Sequence, residues 1–476
     1  MPGRMPAMST DTALAQRAVA DARRSPFWLD RADRPDPGPP VTGRVQADLV
    51  VVGAGFTGLW TALLAQERDP GRDVVVVEGG RVAWAASGRN GGFCSASLTH
   101  GLANGAARFP GELETLVRLG HENLAGIEAT IDRYDIDCGW ENHGNLVAAT
   151  ADWQVDELAA LARLAGRYGQ RARLLDAVEV RAKVDSPTYR AGLLLPDDGG
   201  LVDPARLAWG LAAAARGCGV RLFERSPVVA VSDEGTSVTV STRNGLVSGR
   251  QAVLATNAFR PLMRRHRWSV APVYNYALMT EPLSAEQLRR IGWEGRQGLS
   301  DAGAELFYYR LTEDDRILWG GPHTDYFYGG RIASRFEDRP ELFVQLAEAF
   351  FGTFPQLTDV SFSHAWGGVI DISSRAVNFW DVAMAGKLAT SLGFSGLGVG
   401  SSRFAGQVLL DLLDATPTER TELRLVRDGP LPFPPEPARA LGIALTKHAY
   451  RSADRNDGRR NVWLRTLDRL GIGFDG

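Results

Sequence analysis

Residues 47–78 read ADLVVVGAGFTGLWTALLAQERDPGRDVVVVE, and the fold follows from how this stretch is parsed. Ala47-Asp48-Leu49-Val50-Val51-Val52 is a short β-branched apolar run, the pattern of a parallel strand buried on both faces. Gly53-Ala54-Gly55-Phe56-Thr57-Gly58 follows at once, and Leu59 to Ala65 has helical composition. Asp69-Pro70-Gly71 breaks it, and Asp73 to Val77 forms a second strand run ending on Glu78, twenty positions past Gly58. Strand, glycine turn, helix, strand and acid in this order predict a dinucleotide-binding unit. Gly53 permits the tight turn, Gly55 lets backbone approach a pyrophosphate, and Gly58 lets the helix pack close to the strand. The helix N-terminus then faces the phosphates. Glu78 is placed to accept from ribose hydroxyls, which disfavours a 2′-phosphate there.

The next stretch, EGGRVAWAASGRNGGF at 78–93, carries five glycines and an Arg-Asn pair. Such a loop lets backbone lie against something, which a nicotinamide dinucleotide does not require at this point. A flavin does, because its ring extends beyond the pyrophosphate and must be held by further loops. The expected cofactor is therefore FAD. Ser87, Arg89, Asn90, Gly91, Gly92 and Phe93 are expected at it, with Arg89 donating to phosphate or flavin oxygens and Asn90 bonding the ring edge.

The totals bound the rest. A chain of 476 residues is long for one core and predicts two domains sharing an interface. A formal charge of −3 gives no basic field for nucleic acid. Cys94, Cys138 and Cys218 make neither a disulfide framework nor a metal site, and suit a reducing cytoplasm. No apolar run reaches the ~20 residues that span a bilayer, and the N-terminus lacks the apolar core of a signal peptide. It reads as a short helix, then the anchor Phe27-Trp28-Leu29, then a proline-rich strap over residues 30–40.

The quoted motifs resemble those of FAD-dependent amine and amino-acid oxidoreductases of the D-amino acid oxidase superfamily. The Ala-Ser-Gly-Arg-Asn-Gly-Gly form at 86–92 is similar to that of the gamma-glutamylputrescine oxidase-like branch. Gly200-Leu201-Val202-Asp203-Pro204, Ser226-Pro227-Val228-Val229 and Gln251 to Asn257 continue the likeness, as do His364-Ala365-Trp366-Gly367-Gly368 and the terminal loop Leu392 to Gly400. The resemblance spans roughly residues 27–415. It implies Val229, Thr256, Asn257, Gly393, Phe394, Ser395, Gly396, Leu397 and Gly398 as further cofactor contacts. Leu397 stands where the branch has His, so the polar contact made there is not expected here. Lys387 to Leu392 reads as a strand, and the helix after it as capped by Ser401 or Ser402. Its positive end would point at the glycine loop and favour an anionic reduced ring.

The expected fold class is α/β, a Rossmann-like FAD-binding domain (45–105, 195–257, 380–415) interleaved with an antiparallel-sheet substrate domain (106–194, 258–379). An N-terminal extension (1–44) and a C-terminal tail (416–476) flank them. Helices are predicted over 111–133 and 152–166, and a hairpin over 306–320. The expected function is oxidation of the C–N bond of an amine or amino acid to an imine, with electrons passing to O2 or another acceptor. The alternatives are an NAD(P)H-dependent flavin monooxygenase, for which no second nucleotide motif is found, and a flavoprotein that only binds or passes electrons. Tyr308, Tyr309, Arg310, Trp319, His323, His364 and Trp366 are substrate-side candidates, although strand aromatics equally fill cores. Among them Trp366, Tyr309, Arg310 and His364 are expected at the chemistry, with no metal. Tyr308 and Arg310 share one face of a strand and Tyr309 takes the other. The cost of burying a guanidinium favours Tyr309 inward and Arg310 solvated, with Arg310 as the alternative clamp. The FAD is expected to be noncovalent; Cys94, beside the flavin loop, is the alternative site of a covalent link, although a free Cys is usually only a small hydrophobe.

Overall fold

A computed structural model describes residues 10–303 and 306–473. The parts of the extension and tail at 1–9 and 474–476 lie outside the described residues. Its strands are numbered in chain order. The nucleotide-side sheet runs β17 (Phe379–Ala383), β18 (Leu388–Leu392), β11 (Gly245–Leu254), β1 (Gly43–Val52), β2 (Val74–Val77) and β8 (Arg221–Phe223), with β10 (Val238–Thr242) and β9 (Val228–Asp233) added through β11. From β18 to β8 every neighbour is parallel. The four-valine run Val74–Val77 is buried throughout, as a strand covered on both faces must be.

The second sheet runs β16 (Phe362–Ser373), β12 (Val270–Thr280), β15 (Ile317–Asp325), β14 (Tyr308–Leu311), β13 (Gly298–Asp301), β4 (Asn145–Ala149), β6 (Ala191–Leu195) and β5 (Arg173–Leu175). All its pairings are antiparallel except β13 with β4. A short ladder, β3 (Phe93–Ser95) with β7 (Gly199–Leu201), joins the two halves.

Three cores result. Helices Phe56–Arg68, Pro204–Gly217 and Gly398–Leu413 cover one face of the nucleotide-side sheet, and that core continues into Met279, Leu318 and Trp366 of the second sheet. Val50, Val52, Val75 and Val77 fill the opposite face with β9–β10 side chains. The far face of the second sheet packs under helix Pro340–Thr353 through Phe343, Leu346 and Phe350. Each such apolar side chain contributes roughly 1.5–3 kcal/mol on burial.

The N-terminal segment ties the halves together. Helix Thr10–Val19 buries Ala15, Ala18 and Val19 in the core under helix Pro340–Thr353. Trp28 and Leu29 are buried in the nucleotide-side core, and Trp28 Nε1 donates to the Asn90 carbonyl at 2.9 Å. Arg31 then pairs with Asp203 at 2.9 Å. The helices expected over 111–133 and 152–166 run Leu113–Arg133 and Asp152–Arg167.

Candidate active site

Three glycines shape the first turn. Gly53 has φ +107°, and a Cβ on it would sit 2.5 Å from the Ala255 carbonyl. At Gly58 a Cβ would fall 1.9 Å from the Gly53 carbonyl oxygen, so helix Phe56–Arg68 rests directly on the turn. Gly55 meets only Ser87 Oγ, 2.9 Å from its ideal Cβ. Ser87 Oγ also accepts from Phe56 N at 2.9 Å, which stitches the glycine loop to the helix start. Thr57 is buried and donates to Ser402 Oγ at 3.3 Å.

Glu78 lies beneath this turn. One of its oxygens accepts from Ala54 N at 2.7 Å, and the other from Gly80 N at 2.7 Å and Trp84 Nε1 at 2.8 Å. Burial raises its pKa, against the pull of those donors.

Helix Gly398–Leu413 begins beyond the end of β18, as helix Phe56–Arg68 begins beyond β1. The two pack closely: a Cβ on Gly406 would stand 3.1 Å from Thr61 N. Their N-terminal ends therefore lie beyond the carboxyl ends of β1 and β18, the parallel strands on either side of β11, where helix dipoles favour an anion. The cap differs from expectation. Leu397 occupies the N-cap without a side-chain bond, and the Ser401 and Ser402 hydroxyls donate back to the Leu397 and Gly398 carbonyls. In-helix serines satisfy their hydroxyls on the preceding turn and so are lost as caps.

The terminal loop is held by a residue that sequence reasoning missed. Asp371, buried on β16, accepts from Gly393 N at 2.5 Å, Phe394 N at 3.1 Å and Asn257 Nδ2 at 3.0 Å. Burial pushes its pKa up to about 7 despite these donors. An acid inside the apolar run Gly367–Ile372 was the available signal. Ser395, at φ +54°, donates from its backbone N to the Asp371 carbonyl. His100, at φ +61°, brings Nε2 to 2.8 Å from the Ser395 carbonyl. Asn257 Oδ1 is buried and has no partner among the described residues, and Thr256 precedes it just beyond the end of β11.

The second sheet faces this region through Tyr308 and Arg310, which correct the expected orientation. The Tyr308 ring lies 2.9 Å from an ideal Cβ on Gly91, and Arg310 Nη1 2.9 Å from one on Gly92. Tyr308 Oη donates to Asn275 Oδ1 at 2.8 Å, and its ring meets Phe93 edge-on at 5.9 Å. Tyr309 points the other way. It is fully buried, hydrogen-bonded to Tyr189 at 2.6 Å and Asp301 at 3.1 Å, and packed on Trp319 at 4.5 Å. Arg310 is buried rather than solvated, because Val202 O accepts at 2.8 Å and Leu311 O at 3.1 Å. Burial still lowers its pKa to about 10, and no carboxylate of the described residues pairs with it within 4.0 Å.

Other candidates separate by location. Trp366 is buried and donates to the Arg89 carbonyl at 2.9 Å, bridging β16 to the glycine loop. His364 instead faces the N-terminal segment, 3.3 Å from Asp30 and edge-on to Phe27. Trp319 is core, and half-buried His323 lies in the field of Arg451 and Lys447. Arg89 turns to protein partners: Glu337 at 2.6 Å and the Trp84 and Gly367 carbonyls. The Asn90 side chain braces its own loop through the Ala86 and Ser87 carbonyls and Gly92 N. These bonds close the loop on itself. Val229 lies on β9 with 57% of its side chain exposed.

The donor set fits an FAD. The Gly55 cradle is open to close approach, Glu78 Oε2 accepts from Ala54 N and keeps acceptor capacity for a ribose, and the Asn257 Oδ1 orphan awaits a donor.

Comparison with known proteins agrees. The family model described as DAO, FAD dependent oxidoreductase, matches residues 48–412. The gamma-glutamylputrescine oxidoreductase of Escherichia coli (strain K12) is 32% identical over 403 residues, covering 82% of this chain and 88% of that protein. A probable oxidoreductase, OrdL, of Haemophilus influenzae is 28% identical over 395 residues, covering 81% and 87%. The crystal structure of glycine oxidase from Geobacillus kaustophilus superposes with a TM-score of 0.66 at 19% identity, covering 79% of this chain and 96% of that one.

Proposed function

The chain belongs to the DAO family of FAD-dependent oxidoreductases, and from that premise we propose that it oxidises the C–N bond of an amine or amino acid to an imine, which water then hydrolyses to a carbonyl. One observation carries the reading. The helix after the terminal loop packs on the helix after the glycine turn through Ser402–Thr57 and on β3 through Gly400, and the Tyr308–Asn275 pair of the other sheet faces the glycine loop at Gly91. The names of the relatives support the amine side. Electrons pass to O2 or to another acceptor. The three cysteines are free, which suits a reducing cytoplasm. No helix of the described residues is long and apolar enough to cross a membrane.

FAD, when bound, supplies the hydride acceptor. Gly53, Gly55, Phe56, Thr57, Gly58 and Glu78 would hold its nucleotide end, and the Ser87–Phe93 and Gly393–Gly398 loops its ring end. The convergent helix ends would stabilise negative charge there. Such chemistry needs a neutral amine held in position more than it needs a strong acid or base. Tyr308, whose pKa burial raises, stays a neutral hydroxyl that orients rather than titrates. Phe93 and Trp366 help keep water from the neighbourhood of the loop.

The test is anaerobic mixing with acylated diamines, N-alkyl glycines and D-amino acids. At least one class is expected to bleach the 450 nm region of the flavin spectrum. Absence of bleaching across the panel removes the amine reading and brings forward the electron-passing one.

The flavin is expected to be noncovalent. Cys94 is buried, its strand pairs with β7, and burial pushes its thiol pKa far up, so no thiolate forms to make a link. Acid precipitation should release all the yellow colour into the supernatant; colour kept in the pellet would contradict this.

A further inference from the structure

The family match ends at residue 412, yet the chain continues over the body. Leu423, Leu425 and Val426 are still buried in the nucleotide-side core. A proline-rich connector follows, Gly-Pro-Leu-Pro-Phe-Pro-Pro-Glu-Pro at 429–437. Such a segment is a semi-rigid spacer. Beyond it come helices Ala438–Arg455 and Val462–Arg469, with a small cluster of their own, Ala449, Ala453 and Leu464.

This unit packs Gly458 against Trp153 and Arg439 over Trp268, and three of its polar attachments fall around the site. Lys447 Nζ donates to the carbonyl of Thr324, the β15 residue that pairs with Asn275 of β12. Gly473 N donates to the Ser374 carbonyl at 2.8 Å. Ser374 follows Ser373, whose backbone N bonds Ser395 Oγ of the terminal loop at 3.1 Å. The Arg108 guanidinium forks onto the Gly471 and Gly473 carbonyls. Arg108 closes helix Leu102–Arg108, which starts two residues after His100, itself on Ser395. The three attachments thus border the site from β15, from the end of β16 and from the segment after β3.

We propose that residues 438–473 are a cover over the substrate side of the site, latched by Arg108 and Lys447, that limits which amines reach the flavin. The proposal rests on the amine-oxidising reading only for the kind of molecule that enters. An element with its own small core, joined by polar bonds and these ring contacts, opens without breaking the main cores, as substrate-gating elements do. Its closed position excludes bulky molecules and solvent.

The test uses full-length holoenzyme carrying Arg108→Gln, Lys447→Met, or both. Quenching of bound-flavin fluorescence by acrylamide, a neutral probe, reports access without turnover. The double variant is expected to raise the quenching constant about threefold or more at unchanged FAD content. Lys447→Met alone, which leaves the helix after His100 intact, is expected to raise it less but measurably. KM for a bulky acylated diamine should fall relative to KM for an N-methyl amino acid, with kcat kept. An unchanged quenching constant in the double variant overturns the cover. Raised quenching in a protein that no amine bleaches supports the cover and removes the amine reading instead.

Discussion

Gly55→Val is expected to give a folded protein that purifies colourless, while Gly58→Val is expected to give one that is both colourless and markedly less stable. The two glycines lie three residues apart and differ in what a side chain would strike. At Gly55 the nearest atom is the end of the Ser87 side chain, 2.9 Å away, and a serine rotamer can give way. The valine methyls then occupy the approach that a pyrophosphate needs, so binding fails while the sheet survives. A loss of at least 100-fold in FAD affinity is expected, measured by fluorescence titration of apoprotein. At Gly58 the nearest atom is a backbone carbonyl 1.9 Å from the new Cβ. Backbone cannot rotate aside, so helix Phe56–Arg68 must lift from the turn. Overpacking costs typically ~1–3 kcal/mol, and more where the obstacle is main chain. Its thermal midpoint should fall well below that of Gly55→Val. A yellow Gly55→Val protein would remove the cofactor assignment; equal midpoints would remove the distinction between the two glycines.

Asp371→Leu is expected to unlock the terminal loop and lower FAD affinity by a further large factor. Gly393 N, Phe394 N and Asn257 Nδ2 would lose their common acceptor. A buried donor left unpaired costs about 1–3 kcal/mol, so the three together approach the whole margin that keeps the loop ordered. Asp371→Asn keeps one acceptor oxygen and should lie between. The pH dependence has a definite sign. The folded carboxyl titrates at about 7, against ~3.9 in an unfolded chain. Between those values the native state holds a proton that the unfolded state has released. Stability from this group is therefore complete at low pH and declines as pH rises toward about 7. The thermal midpoint of the wild type minus that of Asp371→Asn should shrink from pH 5 to pH 8. A difference that grows instead would show the ionised carboxylate to be the stabilised form.

The nucleotide-binding half was legible because its signals are local. A β-branched run, a glycine turn, a helical run and an acid lie within residues 47–78, and neighbours in sequence supply most of the contacts that Glu78 makes. Residues 393–398 were legible as a loop for the same reason. The orientation of β14 was not. Alternation assigned Tyr308 and Arg310 to one face and Tyr309 to the other, but alternation cannot say which face meets the flavin loop. The tie was broken by supposing that a guanidinium would not be buried unpaired. The fold decides otherwise, since the Val202 carbonyl, 108 residues away in sequence, accepts from Arg310. Tyr309 finds its partners in Tyr189 and in the ring of Trp319. The protein partners of Arg89 leave no local pattern, because Glu337 and the Gly367 carbonyl come from a distant segment. Asp371 escaped notice because a single acid in an apolar strand has meaning only once β18 and β11 end beside it. The sequence by itself determined the parallel unit, its cofactor class and the family. Only the tertiary structure decided which polar groups are already satisfied by distant backbone and which remain to meet a ligand, because hydrogen-bond partners far apart in the chain leave no local pattern.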